Sequence, residues 1–147
     1  MKDIITRELS IKAEQENVYN VMAQPELITQ WFPDRVEGNF QVGERAKLFF
    51  DGYNGFSQIY IETAQPYSHF GFRWAPGGIE FPGDVLDGPN TLVEFFLATI
   101  GDKTKVVVTE SGFDSLPDDI KEQSWKMNSE GWDFMLSRLE KVSFYGD

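Results

Sequence analysis

Glu110 stands out by its neighbours. It closes the run Val106, Val107, Val108, Thr109, Glu110, and because strand side chains alternate between two faces it shares a side with Val106 and Val108. If that apolar side faces the interior, a carboxylate points inward among aromatic rings, which is costly unless it is hydrogen-bonded, paired or near water. In one reading Glu110 is the polar anchor of an otherwise apolar pocket, since a few polar groups orient the ligand in most small-molecule sites. In the other, which is the commoner outcome for buried polar groups, it sits at the rim of the sheet and pairs with Arg35, Arg73 or a helix N–H.

Other reactive side chains are scarce. His69 is the single histidine, and alternation groups it with Gly71 and Arg73, opposite Phe72 and Trp74, so it is expected to face solvent. A Ser–His–acid triad would need that imidazole in a pocket beside an activated serine, and no nucleophile-elbow sequence is present. Cysteine is absent, which removes thiolate nucleophiles, disulfides and sulfur-ligated zinc and suits a reducing compartment. The acidic residues lack calcium-loop spacing. No metal and no cofactor are expected.

Charge and composition narrow the partners. The net charge of −11 repels phosphate backbones, and no basic run offers a local patch, so no nucleic-acid partner is expected. Nowhere do eighteen apolar residues run together, and the first eleven have no signal-peptide core. No membrane span and a cytoplasmic location follow as expectations. Thirteen Phe and four Trp in 147 residues must be buried somewhere, and a chain of this length can do so in one domain spanning 1–147.

The elements that position these residues can be read from periodicity. Residues 3–11 alternate and are β-branched, giving a first strand. Residues 14–22 place Val18, Val21 and Met22 on one helical face, and Pro25 opens a second short helix carrying Leu27, Ile28 and Trp31, stopped by Phe32-Pro33. Six strands follow, at about 35–40, 44–50, 56–64, 68–74, 91–100 and 103–111. Asp51-Gly52 and Asn54-Gly55 allow positive φ between the second and third of these, and Gly101-Asp102 suits a two-residue hairpin. Residues 75–90, with Gly77-Gly78, Pro82-Gly83 and Gly88-Pro89, cannot form a central strand and are expected to be a long mobile loop, either a lid or binding loop or a tolerated insertion. A long helix ends the chain, opened by Ser115 with Asp118 as a capping box and Pro117 in its first turn. Trp125, Trp132, Met135, Leu136, Leu139 and Val142 recur along it at helical spacing. Its first half carries a stripe of little bulk, Ile120, Ser124, Met127 and Gly131. Glycine costs roughly 1 kcal/mol relative to alanine inside a helix, so close packing or room for a ligand should compensate at Gly131.

Five short words lie along this plan: Pro25-Glu26-Leu27 with Trp31-Phe32, Phe40-x-Val42-Gly43, Phe72-x-Trp74, Thr109-Glu110-Ser111-Gly112-Phe113, and Gly131-Trp132 followed by Leu136 and Leu139. In this order the chain resembles the START-like (SRPBCC) superfamily, and within it the branch named after the activator of the heat-shock-protein-90 ATPase. Similar proteins often carry Trp or Phe where Tyr19 stands and a second Gly where Glu44 stands, and the 75–90 loop is longer and richer in Gly than usual. The resemblance implies an α+β helix-grip fold, a curved antiparallel sheet with two short helices and a long C-terminal helix. It also implies a cavity between sheet and helix, used across the superfamily for lipids, plant hormones, polyketides and other apolar compounds, and it includes chaperone-binding members.

Three functions are compatible with these readings. The first is non-catalytic binding of a small apolar molecule, with Trp31, Phe72, Trp74, Phe95, Trp125 and Met127 as wall candidates and Glu110 or Tyr60 as polar contacts. Each ring moved out of water contributes about 1.5–3 kcal/mol, so a few contacts suffice for micromolar affinity. The second is a cyclase, aromatase or hydratase in which a buried acid such as Glu110 moves a proton, which requires more than one polar group inside. The third is a module for a protein partner, a chaperone among the candidates, meeting it through an acidic surface.

Overall fold

One-sided burial draws the sheet of this protein. The computed structural model describes residues 3–52, 55–77, 81–142 and 144. Seven strands, β1 (Ile4–Ile11), β2 (Arg35–Gly38), β3 (Arg45–Phe49), β4 (Ser57–Gln65), β5 (His69–Trp74), β6 (Thr91–Ile100) and β7 (Lys103–Ser111), form one sheet in the order β1-β7-β6-β5-β4-β3-β2. Every neighbouring pair is antiparallel. Helices α1 (Gln15–Ala23) and α2 (Pro25–Ile28) join β1 to β2, and α3 (Lys121–Leu139) follows β7 and lies in the curve of the sheet. This is the expected α+β helix-grip arrangement.

Strands β6 and β7 show how residue order sets the faces. Thr91, Val93, Phe95 and Leu97 are buried on β6, as are Thr104, Val106, Val108 and Glu110 on β7. The register places Val93 opposite Glu110, Phe95 opposite Val108 and Leu97 opposite Val106. That register is set by the two-residue turn at Gly101, whose φ of 63° is open to glycine without the clash a Cβ would bring. On β4 the pairing slips between Ile61 and Thr63, a bulge that bends the strand.

Both helix boundaries that the sequence suggested need correction. The second helix stops at Ile28, and Trp31 and Phe32 follow in a turn whose N–H groups bond back to the Ile28 carbonyl at 3.2 and 3.0 Å. Ser115 does not cap α3: it ends a short 3-10 turn (Phe113–Ser115), and its hydroxyl donates back to the Gly112 carbonyl at 2.6 Å. The reason is Pro117, whose ring disfavours helical backbone at the residue before it; Leu116 is extended at φ −77°, ψ 157°. A turn based on the Pro117 carbonyl then leads into α3 at Lys121.

The interior is solid at one end. Val18 and Met22 from α1, Ile28 from α2, Trp31 just beyond it, and Phe70, Phe72 and Phe95 from the sheet are all completely or almost completely buried. The Trp31 Nε1–H finds the Val21 carbonyl at 2.8 Å, which removes the cost of an unpaired indole donor. Trp132, Leu136 and Leu139 of α3 close this core from the other side.

Candidate functional site

Glu110 is fully buried, 0% exposed, and no cation pairs with it among the described residues. Instead four side chains converge on its carboxylate. The Trp74 Nε1–H donates to Oε2 at 3.0 Å and the Trp132 Nε1–H to Oε1 at 2.8 Å. The Thr91 hydroxyl lies 2.5 Å from Oε2, and the Asn128 amide nitrogen reaches both oxygens at 3.0 and 2.9 Å. The orientation of Asn128 is settled by its other end, where Oδ1 accepts the Gly77 N–H at 3.1 Å. Indole nitrogens donate only, so this is an acceptor-saturated carboxylate in which hydrogen bonds do the work of a counter-ion. Of the two sequence readings of Glu110, the expected partners Arg35 and Arg73 are occupied elsewhere, on Glu37 and Glu62.

A cleft of about 800 Å³ lies directly over this cluster. Three of the four donors, Trp74, Asn128 and Trp132, line it, whereas Glu110 itself does not. Phe32, Phe50 and Phe56 form one side, Met127, Gly131 and Met135 of α3 another, and Phe81, Pro82 and Val85 the third. Phe32 stacks on Trp132 with centroids 5.4 Å apart and meets Trp74 at 5.7 Å, so the floor is a continuous aromatic surface. Around the rim, Phe81 and Met127 remain 40% and 43% exposed. At Gly131 no atom of the described residues, apart from the helix's own backbone and the flanking residues, lies within 4 Å of where a Cβ would stand. The missing side chain leaves open space there and does not serve close packing.

The loop that forms the third side is tied down at both ends. Gly77 bonds α3 twice, through Asn128 and through the Ser124 hydroxyl, which donates to its carbonyl at 2.9 Å. At the far end the Gln58 amide oxygen accepts the Val85 N–H at 2.7 Å, and Asn90 donates to the carbonyls of Val85 and Gly88. Asp84 caps a 3-10 turn (Val85–Asp87) by accepting the Leu86 N–H, and pairs with the Arg45 guanidinium at 3.0 Å. The Leu86 N–H, then Arg45, hold the Asp84 carboxyl below its ordinary value. The expected structureless loop thus contains a helical turn, while the Gly77-Gly78 step and residues 78–80 lie partly or wholly outside the described residues, as does Asn54.

The structure disperses the wall candidates suggested by alternation. Trp74 and Met127 border the cleft. Trp31, Phe72 and Phe95 lie in the solid core at 0% exposure and do not reach it. Tyr60 alternates with buried Ile59 and Ile61 and therefore points to the outer face, where the Arg45 guanidinium covers its ring at 4.7 Å. Trp125 packs against the core with its Nε1 buried and without a partner among the described residues, and it does not line the cleft. Glu110 is one layer beneath. Phe32, Phe50, Phe56, Phe81, Gln58, Asn128 and Met135 were not singled out by sequence; the small stripe around Gly131 was the signal that could have led to the α3 members. His69 is on the outer face as expected, although largely covered, with Nε2 2.8 Å from Glu94 and its ring stacked on Phe96.

Comparison with known proteins adds a family to this geometry. The family described as Activator of Hsp90 ATPase homolog 1-like protein matches residues 12–143. The chain belongs to that family. No curated protein sequence matches it. Among solved structures, protein MLL2253 from Mesorhizobium loti is 20% identical with a TM-score of 0.76, each chain covered over 94%. The Aha1 dimer from Colwellia psychrerythraea is 21% identical, TM-score 0.74, with 98% of each chain covered. DynU16, from the dynemicin biosynthetic locus, is 22% identical with a TM-score of 0.75; 96% of the present chain matches but only 47% of DynU16, so this chain spans about half its length. At these identities the likeness shows the fold of the Activator of Hsp90 ATPase homolog 1-like family and nothing finer. Among the described residues no helix is long and apolar enough to cross a membrane, and no group of His, Cys, Asp and Glu is arranged to hold a metal ion.

Proposed function

We propose that this protein binds a small hydrophobic molecule in the cleft between the sheet, the 75–89 loop and α3, without catalysing a reaction on it. The observation that carries this reading is the cleft itself: about 800 Å³, within the range of ligand sites, walled by aromatic rings and two methionines and left open by Gly131. Methionine at the rim suits a ligand of irregular shape, because its unbranched chain adapts. Gln58 is the candidate orienting group. Its amide oxygen is committed to the Val85 N–H, which leaves the NH2 end to donate to an oxygen on a ligand. A small-molecule role is in keeping with DynU16 belonging to a biosynthetic locus. We place the protein in the cytoplasm, in keeping with a chain lacking cysteine.

Glu110 serves this reading as the fastening that holds Trp74, Trp132 and Asn128 in position. A proton-transfer role would need its oxygens to face a substrate, and all are occupied beneath the floor. The chaperone-partner alternative draws on the family description alone.

A neutral apolar dye, N-phenyl-1-naphthylamine, tests the proposal. Its fluorescence should rise on titration into the protein, and Gly131→Phe should weaken binding by about tenfold or more, equivalent to 1.4 kcal/mol, while leaving the fold intact because the new ring enters empty space. No fluorescence change with the native chain, or equal binding to Gly131→Phe, would sink the proposal.

A further inference from the structure

We propose that the cleft selects by charge: it takes uncharged or positively charged ring compounds and turns away carboxylates and sulfonates of the same shape. This rests on the cleft being a small-molecule site. Among the described residues none of its lining side chains is ionisable. The chain segments that build it go further, for residues 48–68, 74–102 and 127–137 contain no Lys, Arg or His at all, whereas Asp51, Asp84, Asp87 and Glu130 lie on them. Phe32, the remaining wall residue, is followed by Pro33-Asp34.

Three basic side chains nearby are held elsewhere. Arg45 is paired with Asp84 and lies over Tyr60. Arg35 is paired with Glu37 and lies over Phe49, and Arg138 reaches the Phe32 carbonyl at 3.4 Å. Lys47, 4.6 Å from the centroid of the rim residue Phe56, has no acidic partner among the described residues, but it does not line the cleft. An anionic headgroup carried inside would therefore lose its water without meeting a cation, which disfavours the charged form strongly in an apolar site.

A cation meets the opposite situation. Trp74 and Trp132 both donate their N–H to the Glu110 carboxylate and both border the cleft. Their ring faces carry the negative side of the aromatic quadrupole, and a carboxylate behind them adds to it, so a positive group over either ring is attracted. The overall charge of −11 acts in the same direction at longer range.

Three pyrene probes of matched shape separate these effects: 1-pyrenebutanol, 1-pyrenebutyrate and 4-(1-pyrenyl)butyl-trimethylammonium. They are titrated against tryptophan fluorescence at about 0.15 M salt, where exposed charges more than ~8 Å apart are screened. The alcohol and the ammonium should bind at least about tenfold more tightly than the butyrate, and Gly131→Phe should remove this binding. Butyrate binding as tightly as the alcohol, and sensitive to Gly131→Phe, overturns the charge rule and leaves the proposed function standing. Ammonium binding that ignores Gly131→Phe is surface attraction and also overturns the rule. Failure of all three probes overturns the small-molecule reading, and the charge rule with it.

Discussion

Phe72 and Trp74 stand two residues apart on one face of β5, yet Phe72 is sealed in a packed core and Trp74 borders an open cleft. The sheet treats them alike, since both point inward and each is held by aromatic neighbours, 5.4 Å from one another. The difference comes from what covers them. Phe72 shares its core with the bulky side chains that α1, α2 and the following turn deliver, Met22, Ile28 and Trp31, each exposed by 1% or less. Trp74 lines the cleft together with Asn128 and Gly131 of α3 and with Gly77, Pro82, Gly83 and Pro89 of the loop, small side chains that leave space beside it. Close packing is the ordinary state of a protein interior, so the half that departs from it is the half to examine for function. The Glu110 cluster is the partition between the two, holding the floor of the hollow half to the wall of the solid one.

This contrast predicts unequal responses to mutation. The largest should come from the partition. Glu110→Ala leaves Trp74, Trp132, Asn128 and Thr91 without their acceptor, and each orphaned buried donor costs about 1–3 kcal/mol. A total loss of at least about 5 kcal/mol is expected in urea unfolding, together with an altered tryptophan spectrum. A loss under about 1 kcal/mol would mean that the cluster does not join the halves. Next, Phe72→Ala in the solid half should cost about 3–5 kcal/mol because its neighbours cannot collapse into the void. Met135→Ala, beside a space that already exists, should cost about 1 kcal/mol or less. Equal losses at the two positions would erase the distinction between a packed and a hollow half.

Much of the frame could be read in advance. The strands at 91–100 and 103–111 match β6 and β7 to the residue, because burial on one face forces a period of two and the Gly101 turn fixes where it breaks. The Ser115 to Asp118 pattern misled because it is a local signal, and Pro117 acts on Leu116 through a steric clash that the capping pattern does not contain. The site was harder for a different reason. Alternation tells which face Phe72, Trp74 and Phe95 occupy, but not how far along the sheet the covering layer stays thick. That depends on where α3 and the 75–89 loop cross, which is a property of the tertiary structure. Phe32 and Phe81 show the same gap, since neither sits on a strand or helix whose periodicity could assign it a face. Tyr60 is the opposite case: its outward direction follows from Ile59 and Ile61 beside it.

The smallest expected effect concerns how the hollow half is held. Its loop is pinned in part by an ionised group, Asp84, on the Leu86 N–H and Arg45, whereas the burial that secures the solid half involves no such charge. Hydrogen bonding and the guanidinium lower the folded-state value of Asp84 below its ordinary 3.8. Between that ordinary value and the lowered one the unfolded chain binds the proton and the folded chain does not, so stability rises with pH there. The contribution is fully present above about 3.8 and is lost as the pH falls through the lowered value. Asp84→Asn keeps an oxygen for Leu86 but not the charge. Its melting temperature should lie slightly below that of the native chain at pH 7, and the gap should close as the pH is taken below the usual carboxylate range. A gap that persists unchanged in acid would show that shape at position 84, and not its charge, fastens the loop over the cleft.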